Sequence, residues 1–245
     1  MNWHETHALV TGGTRGIGLQ LVKQLLAKGA KVTATGTSEQ TLAQARMQLP
    51  EANWLKLNQA DAISRQELVE SLPTKGLRLV IHNAGIQQIR DWTLADSPVN
   101  FDTEQEMLVN FVGPVELTRL LMPKLAQEPQ AKLVFVSSGL ALAPKSSSPV
   151  YCASKAALRS FAKSLRAQIK QAGWAIQVHE ALPPLVDTDM TLGRGKGKIS
   201  ATTAATQILD GVVKGHAEID VGATALLRFI LRLSPTLGER IMINR

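Results

Sequence analysis

The segment Thr11-Gly-Gly-Thr-Arg-Gly-Ile-Gly18 decides the fold. An apolar run, His7-Ala-Leu-Val-Thr11, leads into it. Ile17, Leu21, Leu25 and Leu26 follow at helical spacing, and Gly29 stops the pattern. Gly12, Gly16 and Gly18 lack Cβ atoms, so the chain can turn sharply between strand and helix and let a ligand approach its backbone. The N–H groups and positive dipole end of the helix suit a pyrophosphate. The spacing is G-x-x-x-G-x-G rather than G-x-G-x-x-G, and a glycine-rich turn without a ligand is the competing reading.

Outward from this turn, strand-like and helix-like segments alternate. Strands are expected at Lys31–Thr35, Trp54–Leu57, Leu77–Ile81, Lys132–Val136, from Ala175, and at Glu218–Val221. Helices are expected at Gln40–Leu49, Ser64–Leu72, Thr103–Met122, Tyr151–Gln171, Thr202–Val213 and Ala223–Leu231. Such alternation implies parallel pairing through right-handed crossovers. Fully apolar strands imply a sheet covered on both faces. The expected fold is α/β: a Rossmann-like, doubly wound parallel sheet of about seven strands, in one domain spanning 1–245. Asp187–Ile199, glycine-rich and basic, reads as a mobile loop, either a plain connector or a lid over a substrate site at about 187–200.

Composition bounds the function. Of 245 residues 44% are hydrophobic, which excludes a disordered chain. Lys and Arg exceed Asp and Glu by 27 to 20, but the positive residues are scattered. The densest cluster is Arg194-Gly-Lys-Gly-Lys198, and aromatics are only 4%, so no nucleic-acid partner is expected. The single cysteine, Cys152, excludes an internal disulfide and a cysteine-built zinc site; no metal site is expected. No apolar run reaches the roughly 20 residues of a membrane helix, and Met1–Glu5 shows no signal-peptide pattern. A cytoplasmic location is expected. Ala223–Ile241 sets apolar residues beside Arg228 and Arg232; an oligomer contact or core helix is favoured there over a membrane-surface helix.

Three constellations carry chemistry. Tyr151-Cys-Ala-Ser-Lys155 opens a helix, and residues i and i+4 share a helix face. An ammonium there favours phenolate and lowers the pKa of a phenol, which otherwise lies near 10. Tyr151 is the only tyrosine in the chain. The strand ending at Ser137-Ser138 offers a hydroxyl to hold a substrate oxygen. The strand ending at His82-Asn83-Ala84-Gly85 offers small residues past which a cofactor can run. Asn110, inside a helix, is badly placed unless its amide is bonded. Cofactor choice is read after the second strand, where NAD sites usually carry a carboxylate. Here Thr35-Gly-Thr37-Ser38 has none before Glu39, whereas Arg15 can pair with a 2′-phosphate and Thr37 and Ser38 can donate to it. NADP(H) is therefore expected over NAD(H), with Glu39 keeping the second open.

Together these motifs resemble the short-chain dehydrogenase/reductase family over nearly the whole chain. The match covers the glycine motif at Thr11–Gly18, Asn-Ala-Gly at 83–85, and the tetrad Asn110, Ser138, Tyr151 and Lys155. Ser138 is preferred to Ser137 because twelve residues separate it from Tyr151, the usual family gap. The resemblance implies hydride transfer between NADP(H) and a carbonyl or secondary alcohol. Tyr151 would be the acid/base, and Lys155 would lower its pKa and bind the nicotinamide ribose. Ser138 would steady the substrate oxygen, and Asn110 would hold a water linking Lys155 to solvent. The implied cofactor contacts are Gly12, Thr14, Arg15, Gly16, Ile17, Gly18, Thr37, Ser38, Asn58 (at the adenine), Gln59, Asn83, Ala84, Gly85, Tyr151, Lys155, Pro183, Val186 and Thr188 (at the carboxamide). A homodimer or homotetramer is implied.

Two residues depart from the family pattern. Pro183-Pro184 replaces the usual Pro-Gly and removes a backbone N–H, and His82 replaces an asparagine, reading as a polar strand-end residue. Arg194, Lys196 and Lys198 either favour anionic carbonyl compounds or merely solubilise their loop. A non-catalytic dinucleotide sensor is the alternative function, against which the intact tetrad argues.

Overall fold

Seven strands pair in parallel in the order 53–56, 31–36, 7–10, 77–82, 131–136, 176–182 and 218–220, with the chain reversing its direction of growth between 7–10 and 77–82. The computed structural model describes residues 1–93 and 102–243. The sheet strands are β1 (His7–Val10), β2 (Lys31–Gly36), β3 (Asn53–Lys56), β4 (Leu77–His82), β5 (Ala131–Val136), β6 (Ile176–Leu182) and β9 (Glu218–Asp220). The helices are α1 (Gly16–Ala27), α2 (Glu39–Gln48), α3 (Ala62–Ser71), α4 (Thr103–Met107), α5 (Gly113–Leu125), α6 (Pro149–Gln171), α7 (Ala201–Val213), α8 (Thr224–Leu233) and α9 (Pro235–Ile243). This is the Rossmann-like architecture the alternation predicts.

Successive strand residues face opposite sides. Ala8 and Val10 pack with Leu21, Leu25, Leu42 and Ile208 of α1, α2 and α7. Leu9, between them, packs on the other face with Leu68, Leu121 and Leu158 of α3, α5 and α6. Burying such a leucine contributes roughly 1.5–3 kcal/mol, so both layers hold the sheet ends in fixed register. The crevice beyond the carboxyl ends of β1 and β4 is the switch point at which doubly wound sheets bind ligands.

Three elements differ from expectation. The helix from Thr103 is interrupted by π turns at Leu108–Val112 and ends at Leu125 rather than Met122. Pro114 lacks the N–H that would close an ordinary α turn on the Asn110 carbonyl, and Gly113 N–H bonds instead to Leu108 O, five residues back. The segment Asp187–Ile199 is not structureless. Val186 and Asp187 (β7) pair in parallel with Ile199 and Ser200 (β8), closing the loop at its base. Within it, Thr188 and Thr191 form a reciprocal cap around a 3-10 turn. Finally, α9 follows α8, and Leu226, Phe229, Leu233 and Leu237 of this pair are exposed, so α8 is not a core helix. No described helix is long and apolar enough to cross a membrane, and among the described residues no cluster of ligand side chains forms a metal site.

Candidate active site

The glycine loop is built to stay open. Gly12 and Gly16 sit at φ +66° and +55°, where side chains other than glycine's are strained. A Cβ on Gly12 would stand 2.8 Å from Ala84 Cα, and one on Gly18 would stand 2.0 Å from Gly12 O. Asn83 clasps the loop by donating to Thr11 O at 3.1 Å and Gly12 O at 3.0 Å. The Thr11 hydroxyl in turn accepts from Asn83 N–H and Ala84 N–H, both at 3.1 Å. Asn83 therefore braces the loop rather than reaching a ligand with its side chain. Ser38, Asp61, Asp102 and Ser200 cap α2, α3, α4 and α7 with side-chain acceptors, whereas α1, like α5, α6 and α8, has no side-chain cap; it begins at Arg15-Gly16. A helix N-terminus left uncapped behind a glycine cradle fits an anionic phosphate. The cradle passes the test for a dinucleotide.

The other expected contacts divide. Thr37 and Ser38 are exposed at the end of β2, with the Ser38 acceptor already taken by Thr41 N–H. Arg15 is exposed and lies 3.9 Å from Asp189, a screened pair of little energy. Glu39 lies 3.7 Å from Arg46. Thr188 meets the glycine loop, since a Cβ on Gly16 would stand 3.1 Å from its Cγ2. Pro183 O accepts from Gly139 N–H at 2.9 Å, which ties the Pro-Pro turn to the segment after Ser138. Val186 is buried in the first core layer. Asn58 accepts its own turn's Ala60 N–H. Gln59 departs from expectation. Its side chain is buried and donates to Val109 O at 2.9 Å, bracing the π turns. Thr14 and Ile17 line the loop half-buried.

The tetrad converges. Ser138, Tyr151, Lys155 and Asn110 are all buried at the carboxyl ends of β4 and β5. Asn110 holds the turn after Gly85: its Oδ1 accepts Ile86 N–H at 2.9 Å and its Nδ2 donates to Ile86 O at 2.8 Å. Its amide is thus fully engaged, as its helical position requires. A Cβ on Gly85 would stand 3.1 Å from Asn110 Oδ1 and 3.4 Å from Lys155 Nζ, so the turn lies directly on the tetrad. Lys155 Nζ donates to Val136 O at 3.0 Å and stands 5.6 Å from the centre of the Tyr151 ring.

This geometry corrects one expectation. Lys155 is held by the Val136 carbonyl, burial outweighs the other influences on Tyr151, and the Tyr151 pKa does not fall below its usual value. Burial pushes Tyr151 up to about 12, with the facing Ser138 hydroxyl and, more weakly, the Arg194 charge pulling it back down. Burial also pulls Lys155 down to about 8, opposed by Glu106. At neutral pH the site therefore holds a protonated phenol beside a lysine poised near its titration point.

The sequence reading missed Glu106 and Gln87. Glu106 is 1% exposed, one helical turn before Asn110, and accepts Gln88 N–H at 3.1 Å. Its i,i+4 spacing from Asn110 was the available signal. Burial raises its pKa, while the Gln88 N–H and then Lys155 lower it. Two other residues prove structural. His82 shares a hydrogen with the Thr118 hydroxyl at 2.9 Å and stacks on Phe135; burial lowers its pKa to about 3, so it is neutral. Cys152 is buried with its sulfur against Lys145 N–H at 3.3 Å.

A crevice at the switch point, a glycine cradle and this tetrad define an oxidoreductase site of the short-chain dehydrogenase type. The chain belongs to that family: the short chain dehydrogenase model matches residues 6–198. It is similar to the uncharacterized oxidoreductase DltE of Bacillus subtilis, at 38% identity over 219 residues and 86% of each chain. Two solved structures share the fold. A short chain dehydrogenase from Burkholderia cenocepacia in complex with NADP superposes with a TM-score of 0.88 at 24% identity over 100% of both chains. One from Burkholderia phymatum in complex with NAD gives 0.86 at 20% identity, over 100% of this chain and 97% of the other.

Proposed function

We propose that this protein is an NADP(H)-dependent carbonyl reductase or secondary-alcohol dehydrogenase, with Tyr151 as its acid/base. The observation that carries this reading is the convergence of the uncapped glycine cradle and the buried tetrad on one crevice. Gly12, Gly16 and Gly18 admit the pyrophosphate to backbone N–H groups of α1. Asn58 would meet the adenine and Thr188 the carboxamide. Ala84 and Gly85 leave room for the dinucleotide. Arg15 is exposed, with Asp189 at 3.9 Å its one ion-pair contact among the described residues, and so is available to a 2′-phosphate, to which the exposed Thr37 and Ser38 hydroxyls would also donate. Glu39, the carboxylate that follows β2, lies 3.7 Å from Arg46. These placements favour NADP(H) over NAD(H).

When bound, the reduced dinucleotide would be the source of the hydride that adds to the carbonyl carbon. As the C=O π pair moves onto oxygen, Tyr151 gives that oxygen its phenolic proton and Ser138 donates a hydrogen bond to it. A phenol held near pKa 12 is fully protonated at neutral pH and so is ready to act as the acid. Lys155 as a cation stabilises the phenolate left behind, and Asn110 fixes the turn against which both sit. A panel of aldehydes and ketones tested for oxidation of NADPH checks the reading; no turnover with any carbonyl, despite bound dinucleotide, would favour the sensor alternative.

The pH profile follows from Lys155. Its charged form is the active one, so kcat/KM for reduction is expected to be flat below pH 7. With a pKa of about 8 it should then fall as pH rises, approaching tenfold per unit above 9. A rate that rises through this range would contradict the assignment.

The exposed apolar residues of α8 and α9, next to the edge strand β9, support a homodimer or homotetramer. Sedimentation equilibrium should return a multiple of the chain mass; a monomer would exclude this.

A further inference from the structure

The three cations of the 187–200 loop have different partners. Lys198 is occupied: its Nζ donates to Thr191 O at 2.7 Å and pairs with Asp187 at 3.3 Å, holding the loop's own base. Lys196 is exposed. Arg194, half-buried like Lys198, lies between Gly193 and Gly195 at φ +72° and +61° and is turned inward. Its Nη1 donates to Gln87 Oε1 at 3.1 Å. Gln87 in turn donates to the Ser148 hydroxyl at 3.1 Å, in the buried turn that starts the helix of Tyr151. Two hydrogen bonds thus link this guanidinium to the start of the catalytic helix.

Among the described residues no carboxylate lies within ion-pair distance of Arg194. A half-buried cation normally has a counter-charge; among the described residues its side-chain partner is a neutral amide. Gln87 uses one N–H of a group that carries five donors in a planar fork, which leaves an edge for a planar anion. Glu106 does not fill that role, since its Oε1 is engaged by Gln88 N–H. The Arg194 charge is felt at the Tyr151 hydroxyl, as its pull on that group's pKa indicates.

We propose that Arg194, oriented by Gln87, recognises a carboxylate on the substrate, so that the substrates are short oxo acids and their hydroxy-acid products rather than neutral ketones. This rests on the carbonyl reductase reading above.

The test compares short oxo acids that differ in carbonyl-to-carboxylate spacing with their methyl esters. In the unaltered protein at least one acid should exceed its ester in kcat/KM by about 10- to 100-fold. Arg194→Gln should bring that ratio to within threefold, and Lys196→Gln should preserve it. If Arg194→Gln depresses acid and ester alike, the arginine only latches the loop and the proposal is overturned. It is also overturned if the unaltered protein prefers the esters. A second arm needs no turnover: calorimetric titration of the NADPH-loaded protein with butyrate and with butyramide. Tighter binding of butyrate, lost in Arg194→Gln, supports the site even if the reductase reading fails; equal binding of acid and amide overturns it.

Discussion

Tyr151→Phe is expected to lower kcat for carbonyl reduction by about 1,000-fold while leaving NADPH affinity within threefold. The substitution removes one oxygen. The phenyl ring keeps the same buried place at the start of α6 and the same relation to Lys155. What is lost is the proton donor, and a positioned acid is worth about 100- to 10,000-fold. The lost contact to Ser138 should change stability by no more than about 1 kcal/mol. Single-turnover oxidation of bound NADPH separates chemistry from binding. A variant that keeps a tenth of the rate would show that another group supplies the proton.

Gly18→Ala is expected to weaken NADPH binding by 100-fold or more and to destabilise the fold by about 3 kcal/mol. The reason is contact rather than backbone angle. A Cβ at this position would stand 2.0 Å from Gly12 O and 2.6 Å from Asn83 Nδ2. The first of these is main chain and cannot rotate away, so the cradle and its Asn83 clasp must both shift. Gly173→Ala provides the comparison. It sits at φ +69° in open space and should cost only about 1 kcal/mol, without effect on NADPH. Thermal denaturation and fluorescence titration of both variants check the pair. Equal losses in the two, or a Gly18→Ala protein with normal affinity, would contradict the steric account.

The sequence made legible what depends on local spacing. The strand, glycine turn and helix at His7–Ala27 follow from period and from residues that lack a Cβ. So do Asn83-Ala-Gly85 and the i,i+4 pair of Tyr151 and Lys155. The sheet follows because alternating elements admit few topologies. Contacts set by the tertiary fold were not legible. Nothing local shows that Lys155 turns to Val136 O, or that burial outweighs every other influence on Tyr151. The family resemblance implied Gln59 as a cofactor contact, yet packing carries its amide into the π turns at Val109. Pro114 is the local signal for those turns, within a stretch whose sequence reads as one long helix over Thr103–Met122. Gln87 and Arg194, 107 positions apart, meet only because β7 and β8 close the loop over the site.

The central claim is that the cradle at Thr11–Gly18 holds a phosphorylated dinucleotide beside Tyr151. Paired titration of the protein with NADPH and NADH, followed by energy transfer from tryptophan to nicotinamide, tests it most directly. The account predicts saturable binding of NADPH, one per chain, at least tenfold tighter than NADH. Arg15→Gln should remove most of that difference by weakening NADPH alone, since a charge-assisted contact is worth about 1.5–3 kcal/mol. Equal binding of the two dinucleotides would refute the role given to Arg15. Binding of neither would contradict the account itself and leave the crevice without the hydride source its residues are arranged to use.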